Sequence, residues 1–395
     1  MSEEVELIFS DGSTCRVWDR YSIAVDMLSS GLPFTFSMWR SERVGNDNEV
    51  YAWPELLDKA RLYSTVQVAI GGYVQLCGVI EERHVSHSRQ GAVLVISGRD
   101  TSALALECDA NPRTVQNNAG LTDALSSLFT PIGVPFRVLN EKEAREARQG
   151  RRRHGSVTTT TRSHRVKHHR PRLGEKIWQA AESIVRRYGY MMWTAATNEG
   201  VAVVVGTPDY ESASVFSFKM ELSNGRRTND SNVLTGELGE LVRGVPTVVS
   251  AMSRARRGNN SASRFLATQT NSELPRYDSV VSPLPTVAKY IQPRGSWTSA
   301  HAQQEAVREQ NKAMRDWRHY TCKVKGHSQE IKGQQVFYAP NTMSDVRDDV
   351  VGIDEPMLIL RVDFEGSRGE GQTTKIKLGP RDAIQLTPED ESADQ

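Results

Sequence analysis

Apolar and polar positions alternate most clearly in the final quarter of the chain. The stretch Ala300–Tyr320 contains neither Gly nor Pro. Ala302, Ala306, Ala313 and Trp317 recur at helical steps, with Glu305, Arg308, Glu309, Lys312 and Arg315 on the other sides, which predicts an amphipathic helix. Three alternating segments follow. Tyr320–Gly326 sets Tyr320, Cys322 and Val324 against Thr321, Lys323 and Lys325; Met357–Glu365 sets Leu358, Leu360, Val362 and Phe364 against Arg361, Asp363 and Glu365; Thr373–Leu378 sets Ile376 and Leu378 against Lys375 and Lys377. A period of two predicts antiparallel sheet with one packed face and one wet face.

The beginning of the chain is also strand-rich. Val5, Leu7 and Phe9 alternate up to Asp11-Gly12, and further strands are expected at Ser22–Met27, around Phe34, Phe36 and Met38, and at Arg61–Ile70, Tyr73–Ile80 and Ala92–Ser97. A small barrel or sandwich is the natural reading. The texture then changes: Thr101–Asp109, Leu121–Thr130 and Lys176–Tyr188 read as helices, and Tyr190–Thr194 with Val201–Val205 as a strand pair. Strand character returns at Val215–Leu222 and near Gly244–Met252, before a stretch punctuated by Pro275, Pro283, Pro285 and Pro293. The expected class is mixed β and α+β in several domains: a β unit over 1–105, an α/β unit over 106–206, and a second β unit over 207–386. The last carries a Pro-rich excursion at 271–299 and an inserted helix at 300–320, and an acidic tail occupies 387–395. Two β units around a mixed one suggest a duplicated architecture, although no internal sequence repeat is visible.

A chain of 395 residues exceeds one ordinary core, and 38% hydrophobic with 25% charged residues is a globular composition. The net charge of +1 gives no global field toward nucleic acid or membrane. Cys15, Cys77, Cys108 and Cys322 are scattered without a CxxC, which predicts buried free thiols. With no signal-like or membrane-spanning run, the expectation is a protein assembled in a reducing cytoplasm, without membrane insertion.

One local asymmetry stands out. Arg148–Arg172 holds nine Lys/Arg, four of the nine histidines and no acidic residue, and is expected to form a mobile loop. Arg151, Arg152, Arg153, Arg162, Arg165, Lys167, Arg170 and Arg172 could hold phosphate or an acidic protein segment. Equally, the stretch is a solvated insertion; it lacks interleaved aromatics for base stacking. His154, His164, His168 and His169 have no Cys, Asp or Glu beside them and do not read as a metal site. Asp345, Asp348, Asp349 and Asp354 lack EF-hand spacing and read as a polar loop. His84 and His87, after Glu81-Glu82, read as the wet end of a hairpin. Ser97–Asp100 reads as a strand-to-helix corner, with Asp100 or Thr101 capping the helix. No GxSxG, HExxH or Cys/His nucleophile arrangement is present, so no catalytic residue, metal or cofactor is assigned. Trp53 and Trp297, in polar or Pro-rich connections, are the tryptophans best placed for a subunit interface.

Taken in order, these features resemble the Mu-like baseplate hub proteins of contractile phage tails. The resemblance is carried by Val5–Phe9, Trp18, Ser22–Asp26, Phe34–Phe36, Gly78–Ile80 and Ser97–Asp100 with Leu104, Leu106 and Cys108. It continues through Glu305, Ala306, Ala313, Val324, Gly326, Tyr338–Asn341, Val346, Asp348, Gly352-Ile353, Leu358-Ile359, Val362, Phe364, Gly371, Thr373-Thr374 and Leu378. The basic Arg148–Arg172 stretch departs from it. The resemblance implies two antiparallel β-barrel-like tube domains per subunit, and a homotrimer forming a pseudo-sixfold ring. Such a ring joins the hexameric tail tube to the trimeric central spike, closes the tube channel, and contacts tape-measure and baseplate wedge proteins, with non-specific passage of DNA. It also implies a virion location. The alternatives are the hub of a type VI secretion or other contractile-injection spike, and a tail-associated cell-wall hydrolase.

Overall fold

The computed structural model describes residues 3–41, 53–138, 165–270, 287–291 and 299–381, apart from positions 17, 90, 115, 198, 199, 258 and 259. Its main feature is one thirteen-stranded sheet, seven strands coming from residues 5–100 and six from residues 216–380. Twelve of these strands carry the argument. From the first part of the chain come β1 (Val5–Phe9), β2 (Arg20–Asp26), β3 (Pro33–Ser41), β4 (Thr65–Ile70), β5 (Tyr73–Ser88) and β6 (Gly91–Asp100). From the last come β7 (Phe216–Met220), β8 (Val233–Glu240), β9 (Arg318–Lys325), β10 (Met343–Asp348), β11 (Ile353–Ser367) and β12 (Gly371–Pro380).

The two sets share one pairing scheme. In the first, β1 pairs β4, β2 pairs β3, β3 pairs β6, β4 pairs β5 and β5 pairs β6. In the second, β7 pairs β10, β8 pairs β9, β9 pairs β12, β10 pairs β11 and β11 pairs β12. Each strand thus corresponds to the one six places later. The sets differ in that β1–β4 is antiparallel and β7–β10 parallel. Even an irregularity recurs: the β5–β6 register shifts between Ile80 and Glu82, and the β11–β12 register between Ile359 and Arg361, with seven residue pairs following each shift. Among the described residues neither set closes into a barrel.

A β-bulge inserts one residue and so reverses which face the following side chains take. This corrects the simple alternation expected of Met357–Glu365. Met357, Ile359, Val362 and Phe364 enter the main core, whereas Leu358 and Leu360 pack on the other face against Trp193, Val204, Met314 and Trp317. Residues 357–360 are all buried because the bulge lies where both faces are covered.

The main core draws on both sets, with Leu7, Phe34, Phe36, Phe216, Phe218, Tyr320 and Phe364 in one cluster. Between the sets lies the α/β body. Helices Ala103–Glu107, Leu121–Phe129 and Ile177–Val185 pack with the sheet of Phe136–Val138, Met191–Thr197 and Gly200–Gly206 around Leu125, Phe129, Ile184 and Val205. The β8–β9 connection holds a second small sheet (Val248–Arg257, Asn260–Thr270, Ala288–Ile291) and helix Ser299–Trp317, whose Ala302 and Ala306 face Val249 and Ala251. All four cysteines are free, but only Cys15 and Cys322 are buried; Cys77 and Cys108 are half-buried, which corrects that expectation for two of them.

Gly366 is the residue that lets the two sets meet closely. It lies opposite Tyr21, and a Cβ on it would overlap the Tyr21 ring. Gly366→Val is expected to lower the unfolding free energy by about 1–3 kcal/mol through overpacking. Gly369→Val, where nothing lies within 4 Å, serves as the control in chemical denaturation and should change it by less than about 0.5 kcal/mol.

Candidate assembly interface

The contact that organises the molecule is the antiparallel ladder between β2 and β11, which runs from Arg361↔Asp26 to Ser367↔Arg20. β11 is long enough to serve two neighbours along one edge: residues 353–358 pair β10 and residues 361–367 pair β2. On the core face of this seam Phe364 meets Ile23 and Val362 meets Val25. Ile23, Val362 and Phe364 are completely buried. Burying side chains of this size stabilises by about 1.5–3 kcal/mol each.

A polar chain crosses the same seam. The Tyr21 hydroxyl lies 2.7 Å from His327 Nε2, and His327 Nδ1 lies 2.9 Å from Thr374 Oγ1. Thr374 Oγ1 donates to the Gly326 carbonyl at 2.5 Å, so it can only accept from His327. The neutral imidazole therefore carries its proton on Nδ1 and accepts a hydrogen bond from the Tyr21 hydroxyl on Nε2. The N-terminal segment closes over this group, with the Glu3 carboxylate accepting from the His327 backbone N–H at 2.8 Å and the Glu3 carbonyl accepting from Gln372 Nε2 at 2.9 Å. His327 also sets its edge against Phe364, with ring centres 5.2 Å apart. Burial lowers the His327 pKa to about 4, against a smaller opposing pull from Glu3, and burial likewise pushes Tyr21 up to about 12.

Beyond the bulge the opposite face of the second set is charged. Lys323, Lys375 and Asp363 lie in one row and Lys377, Arg361 and Asp26 in another. Arg361 pairs with Asp363 at 2.7 Å and Lys323 with Glu365 at 3.5 Å. Half-exposed pairs of this kind contribute little to stability; their effect is to make the face hydrophilic without giving it one sign of charge.

The edges of the sheet are treated differently. Along β7 the outer edge is closed by side-chain amides. Asn232 receives the Lys219 N–H and donates to Ser217 O, and Gln329 receives the Ser217 N–H and also donates to Ser217 O. Along β8 no such cap exists among the described residues, and Leu234, Thr235, Gly236 and Glu237 are exposed. Sheet edges left this way invite another strand.

Among the described residues the sequence-derived contact residues are not gathered into one site. Arg151, Arg152, Arg153, Arg162 and Trp297 lie outside the described residues, as do His154 and His164. Arg165, Lys167 and His168 fall in the strand Arg165–His169, which pairs with Gln116–Gly120. The expected mobile loop therefore ends in regular structure: Val166 and His169 are buried, and these two side chains supply the inward anchors that basic composition concealed. Arg170 donates to the Pro112 carbonyl at 2.9 Å, and the Arg172 backbone N–H to Glu175 at 2.7 Å. Trp53 opens helix Trp53–Lys59. The four aspartates are not confined to a loop. Asp345 and Asp348 are on β10 and Asp354 is on β11, with Asp348 buried and bonded by the Tyr320 hydroxyl at 2.7 Å. At the Ser97–Asp100 corner, Asp100 accepts from Leu32 N and Ser102 Oγ, while Ser102 occupies the helix cap position without a side-chain cap bond. Among the described residues no His, Cys, Asp and Glu side chains cluster to hold a metal, and no helix is long and apolar enough to cross a membrane.

No family profile matches the sequence, and no curated protein matches it. Solved structures do. The 43 kDa tail protein of prophage MuSo2 from Shewanella oneidensis superposes with a TM-score of 0.73 at 18% identity, covering 97% of this chain and 100% of that one. A tail protein from Neisseria meningitidis gives 0.73 at 20% identity, covering 97% and 98%. The chain has the fold of these two tail proteins. An Escherichia coli component of the type VI secretion system, described as structurally similar to the T4 tail proteins gp27 and gp5, shares the tail-protein fold more distantly. Its TM-score is 0.54 at 10% identity, covering 97% of this chain and 79% of that one.

The buried imidazole makes the seam sensitive to acid. Folded His327 stays neutral down to about pH 4, whereas in the unfolded chain it takes up a proton near pH 6.5. Its contribution is thus complete above about pH 6.5 and is lost as pH falls toward 4, by roughly 3 kcal/mol in all. Unfolding free energies measured across that window should show this loss, and His327→Gln should remove most of the slope.

Proposed function

We propose that the protein is a structural hub of a contractile phage tail baseplate, acting by assembly. Three copies form a ring whose one end meets the hexameric tail tube and whose other end meets the trimeric central spike. The observation that carries this reading is the repeated six-strand scheme, β1–β6 and β7–β12. A chain holding two like β units presents six of them when three copies close around an axis, so a trimer can match a sixfold partner on one side and a threefold partner on the other. The fold, shared over nearly the full length of a prophage tail protein and of a second tail protein, supports the same reading.

In this arrangement the units at 1–105 and 207–386 are the two tube domains, with the α/β unit at 106–206 between them in the chain. The charged face of the sheet beyond the bulge, with mixed rows such as Lys375–Asp363, lines the channel; interleaved charges there let a polymer pass without holding it. The tube, spike, tape-measure and wedge proteins are the partners, and the virion is the location. The type VI secretion component supports a hub of that system as a second reading, but its lower TM-score and coverage favour the phage tail.

The decisive measurement is the mass in solution by light scattering, together with the rotational symmetry of averaged particles. A mass three times the 44.1 kDa of the chain and a threefold ring with six similar lobes are expected. A monomer that stays monomeric when mixed with its own tail tube and spike proteins overturns the reading.

A further inference from the structure

The duplicated scheme makes a specific statement about an edge that one chain leaves unfilled. In the six-place correspondence β11 answers to β5 and β2 answers to β8. The seam made within the chain, β11 against β2, therefore has a counterpart, β5 against β8. Within one chain these two strands never meet: β8 ends the sheet, and β5 beyond Ile80 pairs only with β6 among the described residues. We infer that the β5 edge of one copy pairs antiparallel with the β8 edge of the next, and that this pairing is the subunit contact. The inference rests on the trimeric ring proposed above.

The register follows from the ladders already on the page. Matching the two bulges places Glu82 with Arg361 and Val85 with Phe364, because Glu82 and Arg361 each follow the shift and each opens a run of seven pairs. Matching the β2–β3 and β8–β9 ladders places Ile23 with Leu238. Ile23 pairs Phe34 and Leu238 pairs Tyr320, while Phe34 and Tyr320 pair the equivalent Gly98 and Leu378. Carrying the β11–β2 register across then sets Arg83 opposite Glu240, His84 opposite Gly239, Val85 opposite Leu238, Ser86 opposite Glu237 and His87 opposite Gly236.

The residues suit these positions. Val85 and Leu238 occupy the places of Phe364 and Ile23, which are fully buried at the internal seam, yet Val85 is 41% exposed within one chain. It lies on the core face opposite Leu94. Arg83, which donates to the Leu57 carbonyl at 2.8 Å, comes opposite Glu240, which pairs with Arg318 at 3.3 Å; the two are of opposite charge where the internal seam has Val362 facing Val25. Where Tyr21 faces Gly366 inside the chain, His87 comes opposite Gly236, whose inner side is already filled by Tyr320 and Asp348 of its own chain. A head-to-tail contact of this type closes into a ring after three copies instead of pairing two copies face to face.

Disulfide trapping tests this register. Val85→Cys combined with Leu238→Cys should, under mild oxidation, give covalent dimers and trimers on a non-reducing gel. Val85→Cys with Gly239→Cys, whose thiols point to opposite faces, should not. In parallel, Arg83→Glu or Glu240→Arg alone should weaken assembly about tenfold, and the two together should restore it. A threefold mass without any 85–238 cross-link overturns the pairing while leaving the hub intact. Cross-linking by Val85→Cys alone, which means like strands meet, also overturns it. A native chain that is monomeric and never cross-links removes the hub reading and this inference together.

Discussion

The ladder between β2 and β11 is the contact on which the rest depends. A strand edge is a row of unpaired donors and acceptors, and leaving it bare in a large sheet is costly or hazardous. The chain meets this constraint by extending β11 past its own partner β10, so that residues 361–367 offer a second stretch of edge to β2. Two sets that could each have formed a separate unit thereby become one sheet over one core. The helix-rich body then has a fixed platform, since Trp193 and Val204 pack directly on Leu358 and Leu360 beside the bulge.

Hydrophobic pairing alone would not fix that seam uniquely. A shift of one residue would turn Ile23 and Val25 outward, but a shift of two would keep them inside. The polar chain from Tyr21 through His327 and Thr374 to Gly326 removes that freedom. Tyr21 reaches Nε2 only in the observed register, and Gly366 provides room for its ring only there. Buried polar groups generally cost more than they return unless every member is satisfied. Here both ring nitrogens have partners, so the network selects a register at little penalty.

Much of the architecture can be read directly in the sequence. Alternation in Val5–Phe9, Tyr320–Lys325 and Gly371–Pro380 reflects strands with one buried face, and the α/β texture of the middle reflects helices such as Ile177–Val185. What escaped has physical causes. β8 reads Val-Leu-Thr-Gly-Glu-Leu-Gly-Glu, and its glycines are there because Tyr320 and Asp348 crowd Gly236 while the His319 ring crowds Gly239. Packing demanded the residues that weaken a strand signal. The extension of β5 through Glu81–Ser88 is exposed throughout, so it carries no apolar period to detect. The strand Arg165–His169 is anchored by Val166 and His169 among cations that dominate the local composition. The candidate contact residues were the least legible part, because a residue that packs on nothing within its own chain leaves no periodicity.

The duplication itself stayed hidden for a related reason. Equivalent positions share a backbone role while their side chains answer to different coverings. At the bulge, Leu360 is buried because Trp317 and the α/β body lie over it. Its counterpart Glu81 is exposed and bound to Arg99 through two hydrogen bonds. Phe34 is matched by Tyr320, and only the latter has a buried carboxylate, Asp348, to satisfy a hydroxyl. The ladder, the bulge and the order of pairing persist because the sheet fails without them. Residue identity drifts wherever the two sets face different neighbours, and the sets face different neighbours at almost every point outside the sheet. A repeat of this kind is preserved in hydrogen bonds and erased in the alphabet of side chains.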